Sequence, residues 1–170
     1  MKSLVIYFSR ADENYFGGSI KTIDKGNTEV VSEFIKEIVG ADLFKVERKV
    51  DYSKNYNKCI QEAKDEMRSS NLPEIKQYIN SISDYDVIFI GGPIYWGTLP
   101  QPMFTQLKKL DFNGKIIMPF STHEGSGLGS VERDLKNICV GANVKPGLAI
   151  LGSSVYTSKD KIKKWIDLNI

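Results

Sequence analysis

Val87-Ile88-Phe89-Ile90 runs apolar without a polar break and is stopped by Gly91-Gly92-Pro93. A strand with one wet face alternates, so an unbroken run of this length between turn residues is a strand covered on both faces. Leu4-Val5-Ile6-Tyr7-Phe8, Lys115 to Phe120 and Leu148-Ala149-Ile150-Leu151 repeat the device, and Asp42 to Val50 supplies a further strand with Leu43, Phe44, Val46 and Val50 apolar. Helical patterns lie between them. One begins near Thr28, puts Val30, Val31, Phe34, Ile35 and Ile38 on one stripe and stops at Gly40. Residues 56 to 69 are polar and helix-favouring, and after Pro73 a second helical piece is expected to run to Ile82. Further helices are expected at Pro102 to Leu110, at Gly129 to Cys139 and from Ser158, the last with Ile162, Trp165, Ile166 and Ile170 inward. Strands separated by helices predict an α/β domain with a parallel sheet and helices on both faces. No repeat or linker divides the 170 residues, which read as a single domain, 1–170.

Composition narrows the function classes. No stretch approaches the roughly 20 apolar residues of a membrane span, and the first apolar run lacks a cleavage site, so a cytoplasmic protein is expected. Cys59 and Cys139 form no CxxC pair and are expected as free, buried thiols. His123 is the only histidine, which excludes multi-histidine metal sites; no metal is expected. A net charge of +2 gives no reason to expect nucleic acid or a membrane as partner. The lysines at 159, 161, 163 and 164 read as the solvated face of the last helix.

Ligands of parallel sheets sit beyond the carboxyl ends of the strands. Here those ends are residues 9–28, 91–103, 121–129 and 152–157. In the first, Ser9-Arg10 and Gly26-Asn27-Thr28 flank a helix start, where N–H groups and the helix dipole suit a phosphate. Asn27 acting only as a helix cap is the other reading. Neither GxGxxG nor GxxxxGK[ST] occurs. In the second, Pro93-Ile94-Tyr95-Trp96-Gly97-Thr98 places two aromatics beside glycine at the mouth of the sheet. One ring is expected in the core and the other against a flat ligand. In the third, Thr122-His123-Glu124-Gly125-Ser126-Gly127 allows close approach of backbone. His123 and Glu124 read either as an acid/base pair or as a hydrogen-bonded loop pair.

Taken in order, Ser-Arg…Asn-Thr, Pro-Ile-aromatic-Trp-Gly-Thr, Phe-Ser-Thr-His-Glu-Gly-Ser-Gly and a terminal Trp helix resemble a branch of bacterial flavodoxins, over nearly the whole chain. The resemblance implies a flavodoxin-like three-layer sandwich with a five-stranded sheet in the order 2-1-3-4-5. It implies FMN, with its phosphate on Ser9, Arg10, Gly26, Asn27 and Thr28 and its isoalloxazine flanked by Pro93, Ile94, Tyr95, Trp96, Gly97 and Thr98. Trp96, or failing that Tyr95, would stack on the ring, and the Trp96-Gly97 peptide would meet flavin N5. Thr122, His123, Glu124, Gly125, Ser126 and Gly127 would close the other side. The implied function is electron transfer through semiquinone and hydroquinone states, with no catalytic residue, between a flavodoxin reductase and an acceptor enzyme, by a monomer. The second reading is an NAD(P)H-dependent FMN or quinone reductase on the same fold; the third is a binding module without redox activity. Two departures stand out: residues 11–25 interrupt the phosphate loop, where a lid or flap or a disordered surface loop is expected, and residues 93–104 carry no acid.

Overall fold

The computed structural model describes residues 1–69 and 71–170. Its central sheet is parallel. β1 (Ser3–Tyr7) lies between β4 (Asp42–Lys45) and β5 (Val87–Pro93), and β6 (Ile116–His123) follows β5. The last position is divided: β7 (Asn143–Val144) pairs with the start of β6 and β8 (Leu148–Leu151) with its end. Lys145-Pro146-Gly147 separates the two pieces, and Pro146 has no N–H to give to a ladder. Counted as one strand, β7 and β8 complete the expected order 2-1-3-4-5.

The unbroken apolar runs are explained by a core on each side. Leu4, Ile6, Ile88, Ile90 and Ile117 face α2 (Tyr56–Arg68), α3 (Gln101–Leu107) and α4 (Val131–Ile138). Val5, Val87, Phe89, Met118 and Phe120 face α1 (Asn27–Val39) and α5 (Lys159–Asn169). Alternate residues of one strand thus feed opposite cores. Ile162, Trp165 and Ile166 of α5 are buried as expected, and Ile170 is half-buried.

Four elements differ from the sequence reading. The second strand stops at Lys45, and Val50 is exposed. Residues 74–82 form no helix. Arg48 and Ile75 make a β-bridge, and the Gln106 amide accepts from Ile79 N–H and donates to Ile79 C=O, so other elements take up this segment's backbone bonds. Its buried Ile75 and Ile82 fit a helical spacing, yet the segment forms neither helix nor strand. The fourth strand continues through Ser121-Thr122-His123, because β5 and β8 both offer it parallel partners there. Residues 11–25 are ordered as an antiparallel hairpin, β2 (Asp12–Phe16) and β3 (Ser19–Ile23), around Gly17-Gly18, both at positive φ.

Candidate functional site

A cleft of about 470 Å³ opens at the carboxyl ends of β1, β5 and β6. At one end stands the N-terminus of α1. Its cap is Gly26, not Asn27, and the side chain that serves it comes from β1's exit: Ser9 Oγ accepts from Glu29 N–H at 3.0 Å. A Cβ on Gly26 would lie 2.1 Å from Ser9 Oγ and 2.8 Å from the Arg10 backbone, so only glycine lets the two halves of the loop meet. Gly26 C=O takes the N–H groups of Glu29 and Val30, which leaves those of Asn27 and Thr28 at this end for a ligand, and the helix dipole here favours an anion. Asn27 and Thr28 line the cleft. The Thr28 hydroxyl is already committed: it lies 2.8 Å from that of Thr122, and both residues are buried.

Arg10 lines the cleft beside Ser9. Its guanidinium donates to the carbonyls of Glu13, Ser53 and Lys54, so it ties the hairpin's root to the segment before α2. Its Nε is buried without a partner. Asn14 reinforces the root by donating to the carbonyls of Arg10 and Ala11. Glu13 accepts from Tyr56 N–H at 2.7 Å, and Tyr15 and Tyr56 pack with ring centroids 6.0 Å apart. At its tip, a Cβ on Gly17 would stand 3.8 Å from that of Ser153. The hairpin therefore reaches from α2 to the short 3-10 helix Gly152–Thr157 beside the cleft.

Tyr95–Thr98 forms a tight turn with Trp96 at φ +54° and Gly97 at φ +89°. Positive φ is unusual for so bulky a residue as tryptophan. Tyr95 is half-buried and Trp96 exposed, and both line the cleft. Tyr95 packs edge-on against Phe8 and Tyr52. Trp96 is 47% exposed, donates its indole N–H to Ile60 C=O at 2.8 Å and carries Lys64 Nζ 4.9 Å from its ring centre. Pro93, Ile94 and Gly97 line the cleft; Thr98 does not, being buried with its hydroxyl on Asp134. Burial works to raise the Asp134 carboxyl, but hydrogen bonds from Ser130, Thr98 and Arg133 outweigh it and hold it below the usual range.

Thr122, His123, Glu124 and Ser126 line the cleft as well, while Gly125 and Gly127 do not. His123 and Glu124 are not a pair: His123 Nδ1 accepts from Gly125 N–H at 2.9 Å. Burial lowers the imidazole below its usual range, so it is neutral at pH 7. Glu124 Oε1 is buried without a partner. Burial also raises the Tyr95 phenol and the Cys59 thiol, and both are protonated at pH 7.

The sequence reading missed Asn14 and Tyr15 of the hairpin and Tyr56, Cys59, Ile60 and Ala63 of α2, all of which line the cleft. For the hairpin the signal was present: Gly17-Gly18 between apolar-containing runs suits a two-residue turn. For α2 the 56, 59, 60, 63 spacing marks one helical face, but nothing in it says whether a core or a cleft lies opposite. Among the described residues no group of three metal-ligating side chains occurs, and no helix is long and apolar enough to cross a membrane.

A five-position parallel sheet between two helical layers, with an aromatic turn and an open helix N-terminus at its carboxyl edge, defines a flavodoxin-like protein. The sequence model of the flavodoxin family matches residues 15–169, and the chain belongs to that family. Among solved structures it is similar to a "putative flavoprotein" of Bacteroides eggerthii DSM 20697, at 28% identity and TM-score 0.78 over 99% of this chain and 97% of that one. It is also similar to a flavoprotein of Lactobacillus acidophilus NCFM in complex with FMN, at 22% identity and TM-score 0.62 over 92% and 97%. An NADH:FMN oxidoreductase in its apo form shares the fold at 11% identity and TM-score 0.55 over 99% and 88%. No curated protein matches the sequence.

Proposed function

We propose that this chain binds FMN in the cleft and carries electrons between a reductase and an acceptor enzyme. The observation that carries the reading is the union, in one cleft, of an open helix N-terminus and an aromatic turn. The cleft's volume lies in the range of small-molecule sites. The phosphate would rest on the first N–H groups of α1 beside Ser9 and Asn27, where the glycine at 26 keeps the backbone close. The isoalloxazine would lie between the Trp96 turn and the Thr122–Ser126 wall. Bound FMN supplies the redox chemistry, and the protein supplies orientation and the electrostatic setting. The relative bound to FMN supports the choice of cofactor.

The carrier reading rests on how closely the site is walled. The hairpin, α2 and Trp96 line the cleft together, so a second planar substrate would have to share that space with the flavin. The second reading, an NAD(P)H-dependent FMN or quinone reductase, draws on the oxidoreductase that shares the fold. Anaerobic mixing of the FMN-loaded protein with NADH or NADPH separates the two. A carrier keeps its 450 nm flavin band until a reductase is added; rapid bleaching by either nucleotide alone would establish the reductase.

A further inference from the structure

The Tyr95–Thr98 turn is held from outside the cleft by the first turn of α4. Gly97 C=O accepts from Ser130 N–H at 2.7 Å. Asp134 Oδ2 accepts from the hydroxyls of Ser130 and Thr98, each at 2.6 Å, and its other oxygen takes the Arg133 guanidinium at 3.2 Å. Ser130 Oγ also lies 3.1 Å from Gly97 C=O. Its single proton serves the carboxylate, the stronger acceptor, so the carbonyl is left to the Ser130 N–H. The approach is so close that a Cβ on Gly129 would fall 2.2 Å from Gly97 O. One carboxylate therefore gathers Thr98 of the turn and Ser130 of α4. Asp134 itself does not line the cleft.

Within the turn, the Gly97–Thr98 peptide is fixed through its carbonyl, while Trp96 is fixed at its far end by Ile60 C=O. A tryptophan at φ +54° is costly and persists only where its surroundings hold it, here the Tyr95 N–H to Thr98 C=O bond of 2.8 Å together with the two anchors. We propose that Asp134 is a positioning residue: through Thr98 and Ser130 it sets the Tyr95–Thr98 turn, and with it the Trp96 ring, against the flavin. This rests on the reading that FMN lies under that turn.

The chain has two tryptophans, which provide a test free of any flavin. Trp96 donates to Ile60 C=O and Trp165 to Pro146 C=O, both at 2.8 Å, so each indole N–H reports one anchored ring. In the flavin-free protein, Asp134→Ala is expected to speed hydrogen exchange at the Trp96 indole by about tenfold or more, the loss of charge-assisted hydrogen bonds, and to leave Trp165 unchanged. Asp134→Asn keeps an oxygen that accepts both hydroxyls and is expected to restore most of the protection. With flavin, Asp134→Ala is expected to weaken FMN and riboflavin by the same factor, because the turn meets the ring and not the phosphate. An unchanged Trp96 rate, an equal rise at both indoles, or unchanged flavin affinity in Asp134→Ala would overturn the inference. If the wild-type protein takes up no flavin at all, the FMN reading fails instead, and the indole rates still judge the clamp.

Discussion

Thr28 and Thr122 share one hydrogen bond, 2.8 Å between their hydroxyl oxygens, and through it the first turn of α1 is tied to the last turn-ward residues of β6. Both residues are at most 3% exposed, so neither hydroxyl can exchange its partner for water. Thr28→Val should therefore destabilise the flavin-free protein by about 1–3 kcal/mol, because the Thr122 hydroxyl is left unpaired. The double variant Thr28→Val/Thr122→Val should be more stable than the sum of the single losses allows, since no orphan remains. Urea unfolding of the four proteins checks this; strict additivity would show that the bond is absent.

The His123 loop gives a pH dependence of known sign. Its Nδ1 accepts from Gly125 N–H and is therefore unprotonated in the folded state. Burial lowers its pKa, so the unfolded chain takes up the proton first as pH falls. The stability that depends on the neutral ring is complete above the usual value near 6.5 and is lost as pH drops from there through the folded pKa. Unfolding midpoints at pH 8 and pH 5.5 should differ more in the wild type than in His123→Gln, which has no such proton to gain.

The hairpin should act as a wall that Arg10 latches. Three carbonyls share its guanidinium, and charged hydrogen bonds contribute roughly 1.5–3 kcal/mol each. Arg10→Ala is expected to open residues 11–25 to trypsin, with cleavage after Lys21 and Lys25 speeding up about tenfold or more. Bound FMN is expected to slow the same cuts in the wild type. Equal cutting with and without flavin would separate the hairpin from the site.

Much of this arrangement is legible in the sequence. The runs 4–8 and 87–90 feed two cores by alternation, so their lack of polar residues announces burial on both faces. Many of the motif residues at strand ends reach one cleft because a parallel sheet puts all those ends on one edge, while Gly26, Thr98, Gly125 and Gly127 do not line it. What the sequence conceals is which partner a polar group takes. Arg10, beside a phosphate loop, spends its donors on Ser53 and Lys54, residues 43 and 44 positions away. Ser9 caps a helix twenty residues on. Ile75 and Ile82 fit a helical spacing, yet Gln106 from another helix takes the Ile79 N–H and C=O that a helix would use.

The central claim, that the open end of α1 receives the phosphate of FMN, is tested most directly by titrating the flavin-free protein with FMN, riboflavin and FAD and following flavin fluorescence. A phosphate taking even one charge-assisted hydrogen bond there should make FMN bind at least about tenfold more tightly than riboflavin. FAD should bind more weakly than FMN, because the hairpin stands across the way out beyond the phosphate. Riboflavin binding as tightly as FMN, or FAD displacing FMN, would contradict the assignment.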